Sequence, residues 1–471
     1  NTNLGYNGLQ YATTQKTTTG ITRRRNAGYF ARASYSFDDA YYLTASYRRD
    51  GASVFGADNK WGNFYAFGGA WRVTHEKFME KVRFLNDLKL KLSWGRNGNQ
   101  GIDPYGTLSE AVIGPGGGIA YPFGNSTVPS FGIKQNSLGN SGLGWETTNS
   151  WNFGFESAWL NNRLFVNMDV YLSRTTDQIF NRTIPSMTGF DSMKSTMGEV
   201  ANRGVEFSIH SVNIENKDWR WDTNLTFWLN RNELVHLYGE DLDGDGREDD
   251  DLGNNLFIGH SIHSIYGYKV AGIVQKDDTE YIQANGATPG NPKYVDVDGN
   301  GTIGVEDRTI LGTSDPRFKM SLSNTLSWKN FELYFMLTGT FGGNGYYVSE
   351  NAPAFLAGGG GGAYSNNMYI PYWTEERPSN KYPAANFSGD GRFKGLQSRA
   401  FVRLQDITLS YTFNSAKIKN FGINNLRVFF TGKNLFTITG WENGDPELGN
   451  TILSSTYPIS TNLSLGANIS F

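Results

Sequence analysis

The chain contains 471 residues with a net charge of −3, no cysteine, 57 glycines and 14% aromatic residues. A charge this small, without a run of lysine or arginine, argues against nucleic acid as a partner. Without cysteine, the chain cannot form disulfides, iron–sulfur clusters or a thiol nucleophile. Glycine and aromatic residues alternate with Asn, Ser and Thr, which favours an all-β fold with many turns.

No run of about 18 apolar residues occurs, so a transmembrane helix is excluded. A membrane-crossing strand needs only its lipid-facing half to be apolar, which leaves a β-barrel open. The sequence begins at Asn1 without a signal peptide. We therefore expect that a leader was removed or that the chain starts within a longer protein.

Segments of about ten residues alternate apolar and polar side chains. In "LFVNMDVYLS", Leu164, Val166 and Met168 share one face, while Asn167 and Asp169 share the other. Such a strand has one apolar and one hydrated face. The pattern predicts roughly thirteen strands, near residues 28–37, 40–50, 62–73, 87–96, 149–159, 162–174, 202–213, 217–230, 317–328, 330–342, 399–412, 424–435 and 460–471.

The predicted connections alternate in length. Tight turns occur at "FDDA", "LNN", "IENKD" and "WKN", somewhat longer ones at 74–86 and 413–423, and long polar loops at 97–148, 175–201, 231–316, 343–398 and 436–459. A soluble sandwich shows the same alternation along its strands, but its connections would rarely separate so regularly by length. Short turns at one end and long loops at the other are typical of an outer-membrane barrel. Because bacterial single-chain barrels have even strand numbers, we expect further strands upstream of Asn1.

The final stretch "TNLSLGANISF" places Leu463, Leu465 and Ile469 on one face and ends on Phe471. A last amphipathic strand that ends in phenylalanine resembles the signal that barrel-assembly machinery reads; an ordinary edge strand is the alternative. If Phe471 lies in the periplasm and each strand crosses the membrane in the direction opposite to its neighbour in sequence, every long loop lies outside the cell and every short turn lies in the periplasm.

Aromatic residues near strand ends, such as Trp71, Trp94 and Trp328, are expected in the interfacial girdle of a barrel. Others lie in the long loops, among them Tyr372 and Trp373, where flat rings suit sugar faces or peptide side chains. Loop packing or contact with a partner explains these loop aromatics equally well, so no substrate-binding residue is predicted.

The stretch "YVDVDGNGTIGVED" has oxygen ligands at the spacing of a calcium loop. The predicted ligands, at positions 1, 3, 5, 7 and 12, are Asp296, Asp298, Asn300, Thr302 through its carbonyl, and Asp307. Gly301 takes the position of the sharp turn, and Ile303 is expected to anchor the loop inward. The Gly- and Pro-containing flanks are poor helix contexts, so we predict a stiffening structural Ca²⁺ rather than an EF-hand sensor. A loop held by Asx turns without metal is the alternative.

A second stretch, "DLDGDGREDDD", begins in the same way with Asp241, Asp243 and Asp245. Its position 12 is Leu252, which offers no side-chain ligand to close the loop. We therefore expect a solvated acidic loop here rather than a metal site.

Several stretches together resemble the SusC/RagA-type TonB-dependent transporters of Bacteroidota outer membranes. They are "YYLTASYRRDGASVFGADNKWGNFYAFGGAWRV", "LKLKLSWGRNGNQGIDPYG", "GWETTNSWNFGFESAWL", "NRGVEFSIHS", "VDVDGNGTIGVEDRTILGTSDPRF", "RLQDITLSYTF" and "LRVFFTGKNLFTITGWENGDPEL", in the family's order. The resemblance implies a transmembrane antiparallel up-and-down β-barrel of about 22 strands, with roughly 13 of them in this chain. Residues 1–471 would then be the C-terminal part of the barrel, and the plug domain and first strands would lie upstream.

The resemblance also implies TonB-dependent import of a bulky nutrient, an oligosaccharide or a peptide, across a Gram-negative outer membrane. Its implied partners are a SusD-like lipoprotein lid, TonB through the missing N-terminal region, and outer-membrane lipid. No enzyme is expected, because paired carboxylates in a cleft pattern and a GxSxG motif are both missing, and no cofactor is required. A passive porin and a secreted β-rich glycan-binding protein are the alternatives.

Overall fold

One antiparallel sheet of thirteen strands dominates the fold, and its neighbours follow chain order. The computed structural model describes residues 21–113, 120–121, 130–346, 371–387, 392–393, 395–413, 422–441, 445–447 and 459–471. The sheet strands are β1 (Asn26–Phe37), β2 (Tyr41–Ala52), β3 (Trp61–Arg72), β4 (Leu85–Asn99), β5 (Glu146–Trp159), β6 (Leu164–Thr176), β7 (Glu199–Glu215), β8 (Trp219–His236), β9 (Phe318–Trp328), β10 (Phe331–Phe341), β11 (Phe401–Phe413), β12 (Asn425–Thr439) and β13 (Asn462–Ser470). The predicted up-and-down order is confirmed.

Each of the thirteen predicted strands is present, and the bounds differ mainly at the outer ends. β7 and β8 contain 17 and 18 residues, whereas about 9–11 residues cross a bilayer. Their extra length continues into the outer loops, where Val200 and Leu234 are buried with Leu237 and Leu256. This packing stabilises the part of the β7–β8 hairpin that extends beyond the bilayer. The alternation of apolar and polar residues could not show where this hairpin ends.

The connections separate by length as predicted. Asp38 and Asp39 join β1 to β2 with φ values of 51° and 47°, the turn geometry that matches the twist of paired strands. Leu160–Asn162 and Lys329 also adopt positive φ in tight turns at the same end of the sheet. The long connections all lie at the other end, which is the outer end of the predicted barrel.

The two faces of the sheet differ in chemistry. One face exposes large apolar side chains such as Leu43, Phe153 and Leu465, at 59%, 54% and 78% exposure. The other face carries Ser, Thr and Asn side chains that pair across strands, for example Thr148 and Thr175, whose hydroxyl oxygens lie 2.8 Å apart. An apolar face this large needs lipid as its partner, and the polar face lines the lumen.

The tryptophans expected in the girdle occupy two kinds of position. Trp328 ends β9 and stacks on Trp219 with ring centroids 5.7 Å apart, and Trp71 lies next to the end of β3. Trp94 instead lies well inside β4, because this strand is longer than predicted. It stacks on Phe67 at 6.0 Å and so belongs to the apolar band rather than to a strand end.

The outer loops, predicted as polar connections, contain small sheets, one α-helix and most of the buried apolar clusters. Paired strands are Glu110–Ile113 with Ile133–Ser137, Ala120–Tyr121 with Ser130–Phe131, Ile179–Thr183 with Ser192–Thr196, Ser264–Tyr268 with Arg308–Thr313, Val270–Ile273 with Pro292–Tyr294, and Asn344–Tyr346 with Leu396–Ser398. The α-helix is Thr279–Asn285, and 3₁₀ turns in the described part of the outer loops are Ser186–Thr188 and Val305–Asp307. The 3₁₀ turns Val73–His75 and Lys77–Met79 lie in the connection from β3 to β4, at the opposite end of the sheet. Among the described residues, no helix is long and apolar enough to cross a membrane.

Candidate calcium site in the outer loops

The predicted calcium loop follows the strand Pro292–Tyr294 and ends in the 3₁₀ turn Val305–Asp307. At its start, the carboxylate of Asp296 accepts hydrogen bonds from the backbone N–H groups of Gly299 and Gly301, both at 2.7 Å. These glycines have φ values of 75° and 86°, which glycine adopts without steric cost. They therefore allow the chain to wrap around the first carboxylate.

The next two predicted ligands form successive Asx turns. Asp298 Oδ1 accepts from the N–H of Asn300 at 3.0 Å, and Asn300 Oδ1 accepts from the N–H of Thr302 at 2.8 Å. The hydroxyl of Thr302 also donates to Asn300 Oδ1, at 2.7 Å. These are the contacts expected of a loop that satisfies its own backbone. Carboxylate oxygens that accept one hydrogen bond keep acceptor capacity for a cation.

Asp307 closes the loop from a fully buried position. Its carboxylate accepts from the N–H of Gly304 at 2.7 Å and from that of Val297 at 2.6 Å. These backbone hydrogen bonds hold the pKa of the Asp307 carboxyl below its usual range. Carboxylate oxygens of Asp296, Asp298 and Asp307 all lie within 4.8 Å of one another. Three converging carboxylates are a donor set that suits a hard cation such as calcium.

Side chains from the neighbouring helix support the loop, and the sequence did not predict them. Asn285 Oδ1 accepts from the N–H of Ile303 at 2.7 Å, and Tyr281 Oη accepts from the N–H of Tyr294 at 2.9 Å. The helix has seven residues, too few for helical periodicity to stand out. The only signal was an Asn and a Tyr at helical spacing ahead of the loop.

Ile303 anchors the loop inward, as predicted. It packs against a buried cluster formed by Tyr294, Phe387 and Phe393. Two of these residues come from the following long connection, so two outer loops share one apolar core. The calcium loop is therefore part of a small folded unit rather than an isolated surface loop.

A second cluster joins the same two loops. Ile273 packs with Trp373 and Ala384, and the indole N–H of Trp373 donates to Gln275 Oε1 at 2.9 Å. Trp373 is 8% exposed. Of the three explanations offered for this loop tryptophan, packing between loops is the one that the structure supports, because the ring is too buried to stack on a ligand.

The acidic loop that starts at Asp241 repeats the first turn of the calcium loop. Asp241 accepts from the N–H groups of Gly244 at 2.8 Å and Gly246 at 3.0 Å. These glycines have φ values of 77° and 84°, close to those of their counterparts. The shared Asp-x-Asp-Gly-x-Gly pattern therefore produces the same turn twice.

The two loops differ in how they close. Leu252, at position 12, is 49% exposed and contributes no ligand, as expected. Asp249 closes the loop instead: its carboxylate accepts from the N–H of Leu242 at 2.6 Å, and it lies within 4.8 Å of the carboxylates of Asp241 and Asp243. We missed Asp249 because it stands at position 9. The expectation that this loop holds no metal stays a prediction.

A family model described as TonB dependent receptor-like, beta-barrel, matches residues 1–435. The chain therefore belongs to the TonB-dependent receptor β-barrel family, whose members of the SusC/RagA type are outer-membrane proteins of Bacteroidota. The resemblance recognised in the sequence motifs is confirmed.

Similar proteins refine this placement. The chain is 31% identical to TonB-dependent receptor P26 of Formosa agariphila over 94% of its length and 46% of that protein. It is 31% identical to TonB-dependent receptor SusC of Bacteroides thetaiotaomicron, over 96% of its length and 44% of that protein. A solved structure, the RagAB peptide transporter, superposes with a TM-score of 0.77 at 26% identity and covers 99% of this chain and 51% of that one. The chain spans about half the length of these relatives.

Proposed function

We propose that this chain is the C-terminal part of the barrel of a TonB-dependent transporter that imports a bulky nutrient across the outer membrane. The observation that carries the proposal is the thirteen-stranded sheet, which has an apolar outer face, a polar inner face and long connections at one end only. Likeness to SusC and to the RagAB peptide transporter supports it. Import would be driven through TonB, which would contact a plug-bearing region upstream of the described strands.

The proposed nutrient is an oligosaccharide or a peptide, and the proposed partner is a SusD-like lipoprotein lid. The RagAB structure is that of a peptide transporter. At 26% identity, this likeness does not decide whether the nutrient of this chain is a peptide or an oligosaccharide. The folded unit formed by the two outer loops offers a stable rim on which a lid could dock. Co-purification of the full-length protein with a surface lipoprotein from native membranes tests the partner.

Growth of a deletion strain tests the function. A strain that lacks the full-length gene should lose growth on one glycan or peptide source and recover it when the gene returns. Growth that is unchanged on every glycan and peptide source would contradict nutrient import. A passive porin is the second candidate, because it shares the strand pattern; a full-length gene without a plug domain would favour it.

We further propose that one structural calcium ion, which stabilises this loop, is bound by Asp296, Asp298, Asn300, Thr302 and Asp307. The donor set fits: three carboxylates converge, and the positions follow the order of a calcium loop. Bound calcium would neutralise the carboxylates and fix the loop relative to the apolar cluster below Ile303. The ion would stiffen the mouth of the barrel and take no part in chemical catalysis.

A further inference from the structure

The connection from β3 to β4, residues 73–84, is longer than the tight turns at the same end of the sheet. It contains the 3₁₀ turns Val73–His75 and Lys77–Met79. Two phenylalanines in it are exposed, Phe78 at 64% and Phe84 at 58%. Single exposed apolar side chains are common on proteins, so the position of these two rings decides what they mean.

Phe78 packs beside the lipid-facing end of β3. Gly69 lies opposite Leu43 on the apolar face of the sheet, and Trp71 follows Gly69 two positions along the strand. Side chains two positions apart share a face of a strand, so Trp71 lies on the apolar face. The ring centroid of Phe78 lies 6.5 Å from that of Trp71, in an edge-on arrangement. Phe78 therefore extends the apolar face beyond the end of β3.

Phe84 occupies an equivalent position at the other end of the connection. Its ring centroid lies 5.8 Å from that of Trp159, the last residue of β5. Trp159 and Phe153 are an even number of positions apart on β5, so both lie on the apolar face. The N–H of Leu160 donates to the carbonyl oxygen of Phe84 at 2.9 Å. Both phenylalanines therefore continue the aromatic girdle on the lipid side.

Hydrogen bonds from the same face fix the first half of the connection. Glu76 Oε1 accepts from the indole N–H of Trp71 at 3.1 Å and from the hydroxyl of Tyr41. Tyr41 and Trp71 are directly paired across β2 and β3. These contacts hold the connection against the lipid-facing side of the wall, at the level of the girdle.

Three cations accompany the two phenylalanines. Lys77 directly precedes Phe78, Arg83 directly precedes Phe84, and Lys81 lies between the two rings in sequence. All three cations are exposed. In the described part of the chain, their side chains form no ion pair or hydrogen bond. Their donors are therefore available to an anion outside the protein.

Carboxylates of the connection do not cancel this charge at the surface. Glu76 is engaged by the two girdle donors, which leaves Glu80 as the one exposed carboxylate between His75 and Phe84. Asp38, in the neighbouring turn, lies 3.3 Å from His75. Three exposed cations and one exposed carboxylate therefore lie at a level where phospholipid phosphate groups are the nearest anions.

We propose that this connection is an interfacial anchor that binds anionic phospholipid in the periplasmic leaflet of the outer membrane. Phe78 and Phe84 insert beside the girdle, since the apolar side of an interfacial segment reaches about 5–10 Å into the boundary between headgroups and acyl chains. Lys77, Lys81 and Arg83 bind phosphate groups and keep their aliphatic stems along the apolar surface. The proposal requires only that the sheet spans a membrane, so it holds for active and passive transport alike.

Spin labels on the full-length protein test the insertion. A nitroxide is attached at Phe78→Cys or, as the matched site in the same connection, at Glu80→Cys. The protein is placed in vesicles of equal parts phosphatidylcholine and phosphatidylglycerol. We expect the label at position 78 to collide preferentially with oxygen, which concentrates in hydrocarbon. The label at position 80 should collide preferentially with a water-soluble nickel complex.

Photo-crosslinking in the same vesicles tests the phosphate contacts. Phosphatidylglycerol with a photoreactive headgroup is the probe, and mass spectrometry maps the crosslinked peptides. We expect crosslinks within residues 73–84. Each cation near an anionic surface changes affinity about fivefold. The yield at this connection should therefore fall at least about tenfold in the triple variant Lys77→Gln, Lys81→Gln, Arg83→Gln.

A second triple variant is the matched control for net charge. It removes three exposed lysines from connections at the outer end of the sheet, as Lys60→Gln, Lys134→Gln and Lys269→Gln. It should leave the crosslink yield within residues 73–84 unchanged.

A label at position 78 that collides mainly with the nickel complex would overturn the anchor. Burial of this label only after a periplasmic extract is added would indicate a protein partner and would overturn it too. No crosslinks within the connection, or equal losses in the two triple variants, would overturn the phosphate contacts.

Discussion

Asp307 keeps a negative charge in a fully buried position because the backbone N–H groups of Gly304 and Val297 donate to its carboxylate. The calcium loop therefore depends on a charge that its own backbone stabilises. Asp298, in contrast, is exposed, and its carboxylate accepts a hydrogen bond from the N–H of Asn300. The two aspartates allow the loop's fold and its metal affinity to be tested separately.

The pH dependence of the loop follows from Asp307. Its folded-state pKa is lowered from the usual value of about 3.8, so its stabilising effect is complete above that value and is lost as the pH falls through the folded pKa. Without calcium, we expect the amides of Val297 and Gly304 to stay protected at pH 5 and to lose protection below about pH 4. Hydrogen exchange of the full-length protein measures this. Unchanged protection down to pH 2.5 would contradict it.

Calcium affinity is tested at Asp298. Asp298→Ala removes one converging carboxylate, so calorimetry should show at least about tenfold weaker calcium uptake and proteolysis should cut the loop faster. The unmodified protein should bind with a dissociation constant of about 10⁻⁴–10⁻³ M, as extracellular calcium modules can. Asp243→Ala in the second acidic loop is the matched control. No calcium uptake by the unmodified protein would refute the site.

At the scale of elements, the buried pair Arg403–Asp445 fixes the last outer loop to β11. The two side chains are 3% and 6% exposed, so removal of one partner leaves a buried charge without compensation. Arg403→Ala should destabilise the folded barrel by about 3–5 kcal/mol. Arg427→Ala breaks the half-exposed pair with Glu332 and should cost about 1 kcal/mol or less. Urea titration monitored by heat-modifiable gel mobility compares them; equal losses would contradict this account.

The sequence predicted the sheet better than the loops. Thirteen strands were identified because alternation with period two persists over ten or more residues when one face meets lipid and the other meets water. Strands of two to six residues in the outer loops, such as Pro292–Tyr294, are too short to show a period. The outer ends of β7 and β8 were missed because their apolar side chains pack against a loop core that only the three-dimensional fold creates.

The candidate calcium site was predicted only in part, because some of its residues come together only in the folded chain. Local spacing identified Asp296, Asp298 and Asp307, which the fold brings together. Asn285 lies on a neighbouring helix and Asp249 at an unusual position of the second loop, so neither followed from a local motif.

At the scale of the whole molecule, the sheet presents one face to lipid and one to water. Adjacent residues of β5 test this: Phe153 lies on the apolar face at 54% exposure, and Asn152 lies on the luminal face. Phe153→Arg should destabilise the inserted barrel by about 2–4 kcal/mol if it lies near the bilayer midplane, whereas Asn152→Arg should be tolerated. Insertion into phospholipid vesicles, followed by urea titration, measures the difference. Equal tolerance would contradict the assignment of faces.

The proposed function makes this barrel part of an importer driven through TonB. The most direct measurement is uptake of the nutrient on which the deletion strain fails to grow, compared in otherwise identical cells with and without TonB. Uptake above the outside concentration that requires both the full-length protein and TonB is the predicted result. Uptake that persists without TonB and never exceeds the outside concentration would identify a passive channel and refute TonB-driven import.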